Sequence, residues 1–428
     1  VPGLPTATDR AAVQRRTVGV LSAGVALGGL GVTIGITVGG LLAREVAGGD
    51  AAAGLGQTAS VLGAALLAVP LARVSARYGR RAGLALGYGL AVLGSLVVVA
   101  AAAVSALPLL LAGLLLFGAA TTSTLQARYA AADLAEPAHR GRALSLVVWA
   151  TAVGSVLGPN LAGPGDELGR ALGLPPLGGA FALSIAAFGV VALGVLVLLR
   201  PDPLLLARRI SAGAGGAGPP PRTGSAAALR AVWRTPGGRL GLTAVVVSHA
   251  VMVGLMVMTP VHMGAGHAAA DGTTLRVIGL VISVHVAGMY LFSPAVGWLA
   301  DRAGRSATVA LGGLLLLLAA LVAGTAPAGA AVQLGAGLFL LGLGWSCGLV
   351  AGSTLVTESV GAELRPAAQG ATDLLMGLGA AVSGAVGGPL LAGGGFGLVA
   401  GVAAVLVVPL AVVWAGARMV TAGQRRLR

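Results

Sequence analysis

The chain has 428 residues, 57% of them hydrophobic and only 9% charged, with a mean hydropathy of +0.95 and a formal net charge of +14. A soluble domain usually carries about 25% charged residues, so this composition excludes one and calls for an apolar solvent. All the basic residues are Arg, scattered between apolar runs rather than gathered in a patch, so they read as topology signals and not as a nucleic-acid footprint.

The first apolar run starts at about Thr17, after Arg15 and Arg16, and continues to 42. It is too long for a signal-peptide core and is expected to be the first membrane helix. Eleven further segments follow, at about 51–72, 82–105, 107–129, 143–163, 177–199, 240–263, 275–297, 306–325, 331–353, 367–392 and 394–416. Each approaches the roughly 20 apolar residues that span a bilayer as a helix. The runs are continuous rather than alternating, which argues against a membrane barrel. The predicted fold class is therefore all-α, with twelve transmembrane helices. Placing the N-terminus inside leaves 24 Arg in cytoplasmic segments or at their edges. Only Arg44, Arg170 and Arg276 then fall outside, so both termini are expected in the cytoplasm and the loop around Gly266 outside.

Residues 200–239 are rich in Pro, Gly and Ala and carry seven Arg. They read as a cytoplasmic linker, with a short amphipathic helix, between an N-terminal half at 1–199 and a C-terminal half at 240–428. The halves repeat. An offset of 225 residues carries Arg77, Gly79 and Arg80 onto Arg302, Gly304 and Arg305. The same offset carries Asp133 onto Glu358, Arg140 onto Arg365 and Gly154 onto Gly379.

The loop after the eighth helix reads GWLADRAGRS, Gly297 to Ser306. It resembles the signature loop of the major facilitator superfamily, and parallel six-helix repeats are that superfamily's plan. The resemblance implies two pseudo-symmetric six-helix halves, transport by alternating access, and a gating role for Asp301, Arg302, Arg305, Arg77 and Arg80. The first-half copy, ARVSARYGRR from Ala72 to Arg81, departs from the pattern: Ala72 replaces the Gly and Ala76 replaces the Asp. The second copy is therefore expected to carry more of the latch. GSVLGPNLAGP, Gly154 to Pro164, resembles a G-x-x-x-G-P pattern of superfamily efflux proteins, but Gly-x-x-x-Gly is also a general packing device.

Five of the seven Met and four of the five His lie between His249 and Met289. His249, Met252 and Met256 share one face of the seventh helix, and His285 and Met289 share one face of the eighth. At 1.5 Å per residue all five fall within roughly 6 Å of the bilayer midplane. That is where transporters of this plan bind substrate. Met also fills gaps in helix packing, and a membrane His also serves as a hydrogen-bonded structural group or a proton switch. As ligands, thioethers select Cu(I) and imidazole suits copper. The stripes hold no carboxylate for magnesium or calcium and no thiolate for a tight zinc site.

M-x-x-x-M followed by H-x-x-x-M resembles the CcoA-like (CalT) bacterial copper importers. That resemblance implies copper uptake across the inner membrane through Met252, Met256, His285 and Met289, with His249 as a further candidate. Asp373 is a candidate for proton coupling or cation attraction, or for a hydrogen bond to a partner such as Gln126. The alternative reading is a proton-coupled exporter of a small organic molecule. Copper is expected as cargo rather than as a resident cofactor. The bilayer is the expected macromolecular surroundings, and the protein is taken to act as a monomer. The chain contains no P-loop, no nucleotide fingerprint after a strand and no Ser/His/Asp constellation, so no enzyme is expected.

Overall fold

The computed structural model describes residues 7–47, 51–175, 177–213, 224–264 and 272–426, and the loop around Gly266 lies outside them. The described residues are helical apart from short turns. The helices in chain order are α1 (Ala7–Ala47), α2 (Ala51–Tyr78), α3 (Arg80–Ala103), α4 (Leu107–Ala132), α5 (Arg140–Ala171) and α6 (Gly178–Leu198). Then come α7 (Pro203–Gly213), α8 (Ser225–Arg234), α9 (Pro236–Gly264), α10 (Gly272–Tyr290) and α11 (Ser293–Arg302). The last are α12 (Arg305–Gly324), α13 (Ala331–Glu358) and α14 (Arg365–Arg426).

Ten stretches among the described residues are long and apolar enough to cross a membrane. One of them, Arg365–Ala417, contains the break in α14 at Gly394 and Gly395, where Gly395 takes a φ of 69°, so it supplies two spans. α5, with 32 residues, has the length for the twelfth. The helix expected at 275–297 is interrupted. α10 ends at Tyr290, and α11 restarts with Pro294 in its first turn, where a missing N–H costs least. The linker forms two short helices, α7 and α8, rather than one.

The 225-residue repeat is visible in the backbone. α3 and α12 begin at equivalent residues, Arg80 and Arg305. The residue before each is a glycine at positive φ, 95° at Gly79 and 96° at Gly304. That conformation is accessible to glycine at little steric cost, which explains its presence in both copies.

Two compact units are resolved. One comprises Val1–Pro137, Leu146–Ala228 and Gly361–Gly377; the other comprises Ala138–Ser145, Leu229–Val360 and Leu378–Arg428. In the first unit, Phe117 packs edge-on against Phe181 and Phe188 at ring separations of 5.8 and 5.4 Å. Gly31 and Gly35 leave the room for these rings: a Cβ at Gly35 would come within 2.1 Å of Phe117. In lipid, where burying apolar surface between helices gains little, such close packing and interhelical hydrogen bonds hold the bundle. In the second unit, α13 is the central helix, with α9, α10 and α12 packed around it.

Candidate transport site and gating residues

α10 and α11 run parallel to α13, in a register fixed by two hydrogen bonds: His285 Nδ1 of α10 to the Leu338 carbonyl at 2.8 Å, and Ser293 of α11 to Ser346 at 3.1 Å. The helices approach closely because a Cβ at Gly342 would stand 2.5 Å from the His285 carbonyl oxygen. α9 lies antiparallel to α13. Its register is fixed by Trp345 Nε1–H donating to His249 Nδ1 at 2.9 Å and by the close packing of Gly241 on Gly352.

These two registers place the soft ligands in depth. One turn on from His249, Met252 stands level with Gly342, and one turn further Met256 stands level with Leu338. From α10, His285 is level with Leu338 and Met289 with Gly342. Met256 therefore shares a layer with His285, and Met252 shares one with Met289. α9 and α10 touch only sparingly, and α13 carries both. Leu338 and Trp345 are seven residues apart and so lie on one stripe of α13, which receives both histidines.

The two histidines differ chemically. His285 is fully buried, and its Nδ1–H must donate to the Leu338 carbonyl, so the neutral ring keeps its lone pair on Nε2. That Nε2 is buried without a hydrogen-bond partner. A ring oriented by a backbone carbonyl through one nitrogen and bare at the other is the arrangement a metal-ligating histidine needs. His249 uses its Nδ1 lone pair on Trp345, so a neutral ring carries its proton on Nε2 and has no second lone pair to offer. Met252 and Met289 are 4% and 6% exposed, and Met256 is half-buried. Met258 points elsewhere, its side chain filling the space in front of Gly387. No group of three His, Cys, Asp or Glu gathers among the described residues, so a metal at this level would rest on thioethers and one imidazole.

In the first unit, Asp373 pairs with Arg128 at 2.7 Å, and Tyr129 Oη lies 3.4 Å from the same carboxylate oxygen. Arg128 also lies over the Tyr129 ring at 4.3 Å. The partner considered from sequence, Gln126, instead donates to the Ala68 carbonyl. Arg128 sits toward the end of an apolar run and reads there as an edge residue, yet it is 1% exposed. The second Asp373 oxygen, Oδ2, is buried without a partner.

The signature loops behave differently in their two copies. Asp301 Oδ1 accepts the Gly141 N–H at 3.0 Å and Oδ2 accepts the Arg142 N–H at 2.9 Å, so the carboxylate caps the first turn of α5. Arg305 pairs with Asp301 at 3.2 Å and with Glu358 at 3.3 Å. In the first copy, Arg80 pairs with buried Asp133 at 2.7 Å and also donates to Gln369. Arg77 and Arg302 are exposed, each guanidinium lying over a neighbouring ring, Tyr78 and Trp298.

Duplicated apolar helices, paired charged loops at their ends and buried polar residues at mid-helix define a polytopic membrane transporter rather than an enzyme. The family model described as Major Facilitator Superfamily matches residues 19–275 and 263–427. The chain belongs to that superfamily. It is 39% identical over 409 residues to the MFS-type transporter YdeG of Bacillus subtilis, covering 95% of this chain and 93% of YdeG. It is 31% identical over 379 residues to the riboflavin transporter RfnT of Brucella anthropi, covering 86% and 87%. The fold matches the human organic anion transporter MFSD10 with a TM-score of 0.69 at 18% identity, covering 94% of this chain and 99% of that one.

Proposed function

We propose that this secondary transporter imports copper, held by Met252, Met256, His285 and Met289, across the inner membrane with both termini in the cytoplasm. The observation that carries the reading is the buried, unpartnered Nε2 of His285, in the same layer as Met256 and one turn from the Met252–Met289 layer. Thioethers and a neutral imidazole are soft, uncharged ligands that suit Cu(I) and release it without a large electrostatic cost. The Asp373–Arg128 pair supplies the coupling: protonating the carboxylate frees the guanidinium, which changes the cost of keeping both groups buried. The protein acts as a monomer and holds no resident cofactor.

A second reading has a specific observation in its favour. RfnT, with riboflavin as the cargo its name gives, aligns along most of this chain. In that reading the Met residues line an apolar pocket for a flat organic molecule, and His285 Nε2 accepts a hydrogen bond from it. Purified protein in proteoliposomes, offered copper(I), zinc and riboflavin in parallel, separates the two. Copper accumulation that Met256→Leu and His285→Gln both abolish supports the first reading. Riboflavin flux without copper flux overturns it.

A further inference from the structure

The first sequence half lacks more than its signature acid. Asp301 caps α5 through the N–H groups of Gly141 and Arg142. Shifted by the repeat, the acid becomes Ala76 and the two donors become Pro366 and Ala367. Proline has no N–H. Acid and donor have thus been lost together, and the helix-capping latch of the second half has no counterpart built from these positions.

The linker fills the vacancy. Arg208 on α7 donates through Nη1 to the Ala76 carbonyl at 2.7 Å and through Nη2 to the Glu363 carbonyl at 3.2 Å. One guanidinium therefore ties the last turn of α2 to the segment leading into α14. The polarity is inverted: the second half sets an anion at a helix N-terminus, and here a cation binds carbonyls at the end of α2, where the helix dipole favours it. α7 is itself held in place. Asp202 Oδ1 accepts the Leu204 and Leu205 N–H groups at 3.0 and 3.1 Å, and its Oδ2 accepts the Arg81 N–H at 2.8 Å in the first turn of α3. Leu206 and Ala207 pack against Leu134.

We propose that Arg208 is a positioning residue of the transport cycle. It is the first half's latch, carried by the linker, and it makes the linker a working part of the gate. The linker must then release Ala76 or Glu363 each time α2 and the entry to α14 separate. This holds whichever substrate the protein carries, and its test needs none.

The test uses the full chain in lipid nanodiscs, with Cys347→Ser and spin labels at the repeat-related exposed positions Tyr78 and Ala303, read as a distance distribution. Arg208→Gln is expected to shift the ratio of short- to long-distance populations about tenfold toward the long one, the scale of one charge-assisted hydrogen bond. Arg208→Lys, which can reach one carbonyl at a time, shifts it less. Adding Ala76→Asp and Pro366→Ala to Arg208→Gln rebuilds the second-half type of latch and returns the distribution toward the parent. An unchanged distribution in Arg208→Gln overturns the proposal. A shift that the rebuilt latch leaves uncorrected also overturns it, because Arg208 would then be holding only local structure. Thermal unfolding of each variant identifies loss of fold, and destabilisation without a change in the distances counts against the proposal.

Discussion

Asp301→Asn is the most direct perturbation of the second-half latch. The carboxylate receives two backbone N–H groups, one on each oxygen, and the Arg305 guanidinium at 3.2 Å. Asparagine keeps one acceptor and presents an NH2 where the other stood, so one amide in the first turn of α5 loses its partner. A hydrogen bond to a charged group contributes about 1.5–3 kcal/mol, and a charge at a helix N-terminus about 0.3–1 kcal/mol. Because the Arg142 amide lies at an exposed position, the lower end applies, about 2 kcal/mol. That is roughly a 30-fold change in the latch equilibrium. Asp301 is twelve residues, about 18 Å along the chain's helical path, from Met289, so ligand contacts are untouched.

The assay is initial uptake in proteoliposomes, with equilibrium binding measured beside it, using whichever of copper(I) or riboflavin the parent protein transports. Maximal rate should fall at least about tenfold while binding affinity stays within about twofold. Ala76→Ser changes only a side chain whose backbone carbonyl is what the first-half latch uses, so it should leave the rate near that of the parent. Equal losses from Asp301→Asn and Ala76→Ser would refute the asymmetric latch. A matching loss of affinity in Asp301→Asn would show that the loop acts on the site rather than on the gate.

Met252→Leu, Met256→Leu and Met289→Leu keep volume, so each should cost less than about 1.5 kcal/mol in unfolding while abolishing copper uptake. His285→Gln should behave likewise, and Met258→Leu, which only changes packing on Gly387, should transport normally. If all four Met→Leu variants carry copper at the parental rate, the Met stripe is packing. Asp373→Asn or Arg128→Met alone strands a buried charge and should lower stability by about 3–5 kcal/mol, whereas the double Arg128→Met/Asp373→Leu should refold but lose proton-driven flux. A double variant that still acidifies dye-loaded vesicles during transport removes the pair from coupling. For topology, Leu172, exposed in the turn that follows α5, accepts a cysteine in the Cys347→Ser background. It should react with an impermeant maleimide only from outside intact cells, and reaction only from the cytoplasmic face would invert the assignment.

The spans were legible because hydropathy and length in lipid leave the chain little choice but helices. The repeat was legible because charged and glycine residues at loop ends cannot drift far without losing their partners. Arg80 with Asp133 and Arg305 with Glu358, matched by the 225-residue offset, do form equivalent ion pairs. What could not be read were contacts fixed by helix placement. Asp373 lies 245 residues from Arg128, and no spacing within either apolar run shows that the two meet. The role of α13 between the two ligand stripes was hidden for the same reason: its contribution to His285 is a backbone carbonyl, which no side-chain pattern announces. Arg208 sat in a linker whose Pro and Gly content suggested a tether, although Asp202 at its start is an N-cap signal that would have flagged α7 as docked.

The offset also separates scaffold from specialisation. Most residues that obey it, among them Arg80 and Arg305, Gly79 and Gly304, Asp133 and Glu358, sit at loop ends and serve the helix connections. The candidate ligands Met252, Met256, His285 and Met289 fall on Leu27, Gly31, Ser60 and Ala64, none of which offers a soft donor. Arg128 and Asp373 fall on Ser353 and Val148, so the buried ion pair, with one member from each sequence half, likewise has no repeat-related copy. A duplicated bundle starts with two copies of each position, and a position kept in both is answering to the symmetric task of opening and closing. Positions that have diverged are free of that constraint. Here they are buried or half-buried helix residues with lone pairs or charges to offer, together with Ala76 and Pro366, whose joint loss handed a latch to the linker. If cargo selection and coupling reside in the asymmetric set, exchanging Leu27 for Met should create no second site. The first half holds no counterpart of His285, because the equivalent position is Ser60.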